Sequence, residues 1–163
     1  MGFGKAFGFS LLAYAGLNFL FVIIAATIDG SLNLLFDSIT TNPLLILELL
    51  FMPIIIFPGE VFMNLAGEFF MVPIDIAYVI SLIGYFVAPF IAAVIAGRTG
   101  ESKGKSFGGW FLTAVVSGTV MVVYLFLMYP IVIQDIIVMV ISMATNGVFY
   151  GCFALLFTKT EYY

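Results

Sequence analysis

Residues 42–62 read NPLLILELLFMPIIIFPGEVF, and this stretch decides how many times the chain crosses a membrane. It is apolar enough to cross, yet it holds Glu48 and Glu60 and has Pro53 and Pro58 in its interior. Only 11 uncharged residues separate the two glutamates, roughly 16 Å of helix at about 1.5 Å per residue. A hydrocarbon core about 30 Å thick is not bridged by that length. The stretch is therefore read as non-spanning.

Composition fixes the solvent. Of the 163 residues 64% are hydrophobic and 9% charged, whereas a soluble domain carries about 25% charged residues. So apolar a chain cannot cover its surface with polar groups, and an all-α integral membrane protein forming one membrane domain over 1–163 is predicted. There is no histidine, and Cys152 is the single cysteine. That excludes intramolecular disulfides, Cys/His zinc sites and catalysis through an imidazole.

Charges are costly near the bilayer centre, so the gaps between them count helices. Lys5 to Asp29 encloses 23 uncharged residues, Asp75 to Arg98 encloses 22, Lys105 to Asp135 encloses 29, and Asp135 to Lys159 encloses 23. Four spans follow, at about 6–28, 76–97, 106–129 and 136–158, with 29–75 left outside them. Lys5, Arg98, Lys103, Lys105 and Lys159 then share one side. The positive-inside rule makes that side cytoplasmic, giving a multi-pass protein of the cell membrane with both termini inside. A fifth span through 43–66 would strand Lys5 outside and place Glu48 within the membrane. The apolar part of 1–28 is long for a signal peptide and reads as a retained anchor helix.

Segment 29–75 carries Asp29, Asp37, Glu48, Glu60, Glu68 and Asp75 and no base. Asn42 and Pro43 suit an N-cap and first-turn proline, opening a short helix that Pro53 stops near Met52. Pro58-Gly59 reads as a turn. From Glu60 a second helix is predicted, with Glu60, Asn64 and Glu68 on one face. Helix, break and helix on one side of the membrane make a hairpin, re-entrant or interfacial, packed on the bundle, on a partner or around a cavity. Glu48, Glu60, Glu68 and Asp75 are the candidate cation-attracting groups, since hard cations prefer carboxylates and acidic rings frame cation pores. Glu48, between Leu47 and Leu49, has no polar face and must be protonated, paired or facing water.

Within the spans, Ala88, Ala92 and Ala96 recur at every fourth position, and Gly147 and Gly151 form a G-x-x-x-G. Small residues so spaced let helix backbones approach closely, inside one chain or between chains. Asn18 and Asn146 fall near mid-membrane, with Ser142 and Thr145 beside the latter, and suit interhelical hydrogen bonds or a polar path. Pro89 is expected to kink its helix. Trp110, Tyr124 and Tyr129 fit aromatic belts at the membrane surfaces. TGESKGKS, 99–106, lacks the first glycine of a phosphate-binding loop and no strand precedes it, so it reads as a tight basic turn. Arg98, Lys103 and Lys105 around it are candidates for contact with anionic lipid headgroups.

No nucleophile elbow, intramembrane aspartate pair or metal cluster is legible, so neither an enzyme nor a cofactor or nucleic-acid site is expected. The leading expectation is an accessory or scaffold subunit of a membrane assembly, its partners lipids and other membrane subunits or itself. The alternative is a homo-oligomeric cation channel or transporter with an acidic outer vestibule.

Overall fold

The protein is described here by a computed structural model covering residues 2–159. Among those residues there are helices and no strands. Four are long: α1 (Gly2–Ile28), α5 (Ile76–Thr99), α6 (Lys103–Met128) and α7 (Ile133–Leu156). Three short ones stand between the first two: α2 (Leu32–Thr41), α3 (Leu45–Phe51) and α4 (Pro58–Glu68). The long helices have 24 to 27 residues and are apolar enough to cross a membrane. At about 1.5 Å per residue each exceeds the ~30 Å of a hydrocarbon core.

The long helices pack as a bundle with a polar sign at each end. Gly2 meets Glu101, and Arg98 lies over Phe157, so the start of α1, the α5–α6 turn and the end of α7 share one end with the bases. Asp29 and Asp75 line a common cavity at the other end. These are called the basic end and the acidic end.

Helix boundaries follow local chemistry rather than the charge intervals alone. α1 stops where Gly30 takes φ +72°, which lets Ser31 N–H donate to Ala26 O and Gly30 N–H to Thr27 O. That paired closure is the usual helix stop built on a left-handed residue. α5 starts at Asp75, whose Oδ1 accepts from Tyr78 N–H at 2.9 Å. α7 begins at Ile133, ahead of the expected 136. Asp135 lies inside its first turn and reaches back to Val132 N–H at 3.0 Å, so this charge belongs to the helix start. α5 runs unbroken through a buried Pro89.

Small residues make the core. Ala88, Ala92 and Ala96 on α5 are wholly buried. On α7, Gly147 and Gly151 admit the rings of Phe111 and Phe107 from α6. A Cβ added at either glycine would come within 2.8 and 2.5 Å of those rings respectively. The G-x-x-x-G face is thus occupied inside the chain. Trp110 and Tyr124 are buried as well, not placed in a surface belt as expected; Tyr14 and Tyr150 flank Trp110 with ring centroids 6.0 Å away on each side. Tyr129 is the one of the three that is exposed.

The stretch 42–62 is not one helix. α3 is followed by a single 3-10 turn, Met52–Ile55, and the whole arm Leu45–Ile55 makes a 97° bend with α4. Three details differ from the sequence reading. Asn42 closes α2 rather than capping α3, its N–H donating to Ser38 O. Pro58 and Gly59 are the first turn of α4 rather than a separate turn, because a proline at that position loses no helical bond. And α2 was not anticipated: Leu32, Leu35 and Ile39 are its half-covered face, while Asn33, Asp37 and Thr40 are exposed.

Candidate functional site

A chain that breaks its helix inside a protein strands backbone carbonyls, and here side chains of the bundle take them. Asn146 Nδ2 donates to Ile54 O and Ile56 O, each at 2.8 Å, and to Ser142 O on its own helix at 3.1 Å. Asn18 Nδ2 donates to Leu50 O at 2.8 Å, and the Tyr14 hydroxyl to Phe51 O at 3.4 Å. The backbone is extended at Ile56 and Phe57, so no helical N–H follows to reach Ile54 O, and Asn146 supplies the donor. Asn18 and Asn146, both 2% exposed, therefore hold a broken backbone; they do not line a path. Ile54 itself is 1% exposed.

Asn18 precedes the end of α1 by ten residues and Asn146 follows the start of α7 by thirteen. At about 1.5 Å per residue the break lies roughly 15–20 Å below the acidic end, near half the height of the bundle. The hairpin enters from the acidic end and returns to it, since Glu68 Oε1 accepts from Asp75 N–H at 2.8 Å.

Between α1, α3 and α5 a cavity of about 360 Å³ descends from the acidic end to the break. Asp29 and Asp75 stand in its upper part and Glu48 on its wall, with Tyr78, Ser81 and Tyr85 along α5. Tyr124 on α6 donates its hydroxyl to Glu48 Oε2 at 2.7 Å. Of the alternatives its sequence left open (protonated, paired or facing water), the structure gives Glu48 a hydrogen-bond partner, and it also borders the cavity. Of the four carboxylates singled out from the sequence, Glu48 and Asp75 share this cavity. Glu68 braces the loop before α5, and Glu60 stands apart on the exposed side of α4. Asp29 completes the cavity's acids; its place after the first span was visible in the sequence, but its convergence with Glu48 was not. Among the described residues no group of three or more His, Cys, Asp or Glu is arranged to hold a metal ion.

At the basic end, Arg98 stacks its guanidinium over Phe157, 5.8 Å from the ring centroid. Lys105 pairs with Glu101 at 3.3 Å, and Lys103 is exposed. Glu101 also accepts from Gly2 N–H at 3.1 Å. The Lys105 ammonium, helped by that amide, holds its carboxyl below the usual glutamate range. Ala88, Ala92, Ala96, Gly147 and Gly151 all lie in the interior and take no part in either end.

No protein-family model, curated protein or solved structure matches this chain.

Proposed function

We propose that the chain is a four-pass membrane protein with a re-entrant hairpin entering from the outer leaflet, and that it serves as an accessory or scaffold subunit of a membrane assembly. The positive-inside rule puts the basic end in the cytoplasm and both termini with it. The hairpin is re-entrant rather than interfacial on this reading, because its break docks at half the bundle's height. Irregular backbone survives at that depth only when protein covers it, and Asn18, Tyr14 and Asn146 do so.

One observation supports the scaffold reading: α4 packs on the bundle by one side and leaves Glu60 and Asn64 exposed, without a partner among the described residues, beside an exposed Met63. Phe62 and Phe86 rings meet at 4.8 Å and Val61 is buried, so one side of α4 is fixed on the bundle. Glu60 and Asn64 on its other side are exposed. Native mass spectrometry of the protein from its own membranes in mild detergent tests this. A heteromeric mass is expected, and a monomer alone would sink the reading.

The cavity with Asp29, Glu48 and Asp75 favours a second reading, a homo-oligomeric cation channel or transporter with that cavity as its vestibule. Below the cavity, Tyr14, Ile54, Trp110 and Tyr150 are at most 1% exposed, so a conducting path would have to run between copies. Flux into liposomes that falls on Glu48→Gln would support this reading, and flux indifferent to it would count against it.

A further inference from the structure

The α4 surface has a chemistry that narrows what covers it. Phe86 lies ten residues into α5, roughly 15 Å below the acidic end, and Phe62 packs on it. Glu60 is one half-turn closer to the break, at the depth of the hydrocarbon on the reading above. It is exposed, and among the described residues it has no hydrogen bond or ion pair through its side chain. Asn64 follows one turn on, also exposed, and Met63 between them is 77% exposed. Glu60 does not line the acidic cavity.

An uncompensated carboxylate at this depth is strongly disfavoured. Two features around Glu60 suit a charged partner better than lipid. It is the third residue of α4, at the positive end of the helix, and its neighbour Asn64 is polar too. The compensating charge cannot come from this chain. Its five bases are Lys5, Arg98, Lys103, Lys105 and Lys159, all at the basic end. A second copy in the same orientation brings none of them to the height of Glu60.

We propose that the exposed face of α4 is the docking site for a membrane helix of a different polypeptide, and that this helix carries a lysine or arginine at mid-depth that pairs with Glu60. Asn64 stands one turn away to hydrogen-bond the same helix, and Phe62 and Met63 flank the pair with apolar surface. The proposal rests on the scaffold reading and names the chemistry of its partner.

A photo-crosslinking residue in place of Met63, in the full chain in its own membranes, tests it. The expected product is one adduct to a foreign polypeptide whose cross-linked segment is a membrane helix containing Lys or Arg. Glu60→Lys should cut its yield more than about tenfold, the equivalent of about 1.4 kcal/mol. Exchanging the partner's base for Glu should restore it. Asp37→Asn, an exposed acid on α2, should change nothing. If Glu60→Lys also lowers thermal stability, Glu60→Gln decides, since it removes the charge without adding one. An adduct to a helix without a base, an adduct to a second copy, or a yield indifferent to both Glu60 exchanges would overturn the inference while leaving a heteromeric assembly standing. A wild-type protein with no heteromeric mass fails the scaffold reading itself.

Discussion

The seam between α6 and α7 and the break of the hairpin are both close approaches, made by opposite means. The seam is dry: Gly147 and Gly151 accept the Phe111 and Phe107 rings, which stack on one another with centroids 5.8 Å apart. The break is polar: Asn18, Tyr14 and Asn146 spend their donors on carbonyls of Leu50, Phe51, Ile54 and Ile56. Volume specifies the first contact and hydrogen bonding the second. In lipid, where apolar burial drives helix association weakly, the polar contact is the one with fewer substitutes.

That contrast orders the expected effects of mutation. Asn146→Leu keeps the side-chain size but leaves the buried Ile54 O and the part-buried Ile56 O unpaired. It should destabilise by about 3 kcal/mol, seen as a lower melting temperature in mild detergent. A cysteine placed at Ile56 should at the same time become open to a water-soluble thiol reagent. Gly151→Leu attacks the seam instead, and overpacking should cost about 2 kcal/mol with the cysteine at Ile56 still protected. Equal labelling in the two variants would erase the distinction between the regions. Asn18→Leu loses one carbonyl partner, but Asn18 Oδ1 is itself buried without one. Removing that orphan offsets part of the loss, so about 1 kcal/mol is expected. A drop as large as that of Asn146→Leu would show that the first arm of the hairpin matters as much as the break.

The smallest effect belongs to neither region and serves as the reference. Glu101, held below the ordinary range chiefly by Lys105, contributes stability that is present above its unfolded-state value and lost as pH falls through its folded-state value. A melting curve followed from pH 6 to pH 3 should therefore decline less in Glu101→Gln than in the wild type. Since the pair is exposed, the difference should be small beside the variants of the seam and the break.

Much of the architecture was written in charge spacing. Four intervals gave four long helices, and Glu48 with Glu60 marked the stretch where the structure bends by 97° instead of running as one long helix. Boundaries shifted where a charge served the helix it seemed to end, as Asp135 does. α2 escaped notice because ten residues with Leu32, Leu35 and Ile39 at helical spacing looked minor beside the hydropathy around them. The site was legible only in pieces. Asn18 and Asn146 stood out as polar residues in apolar helices, and Glu48 as an acid with nowhere to face. Nothing in a linear reading shows that both asparagines point at the same hairpin, Asn18 at Leu50 O and Asn146 at Ile54 O and Ile56 O. Trp110 and Tyr124 misled for a related reason. Their distance from the helix ends suited a belt, whereas their hydrogen-bonding ends, on Asn146 O and Glu48, are served from inside.

The bond from Asn146 to the break also sets an order of events in biosynthesis. Ile54 and Ile56 leave the ribosome 92 and 90 residues ahead of the side chain that satisfies them. At about 5–20 residues per second that is a wait of roughly 5–20 s. Through that interval Ile54 O and Ile56 O lack the donor that pairs them in the finished fold. On the re-entrant reading proposed above, the hairpin gains its seat only once α7 has been made.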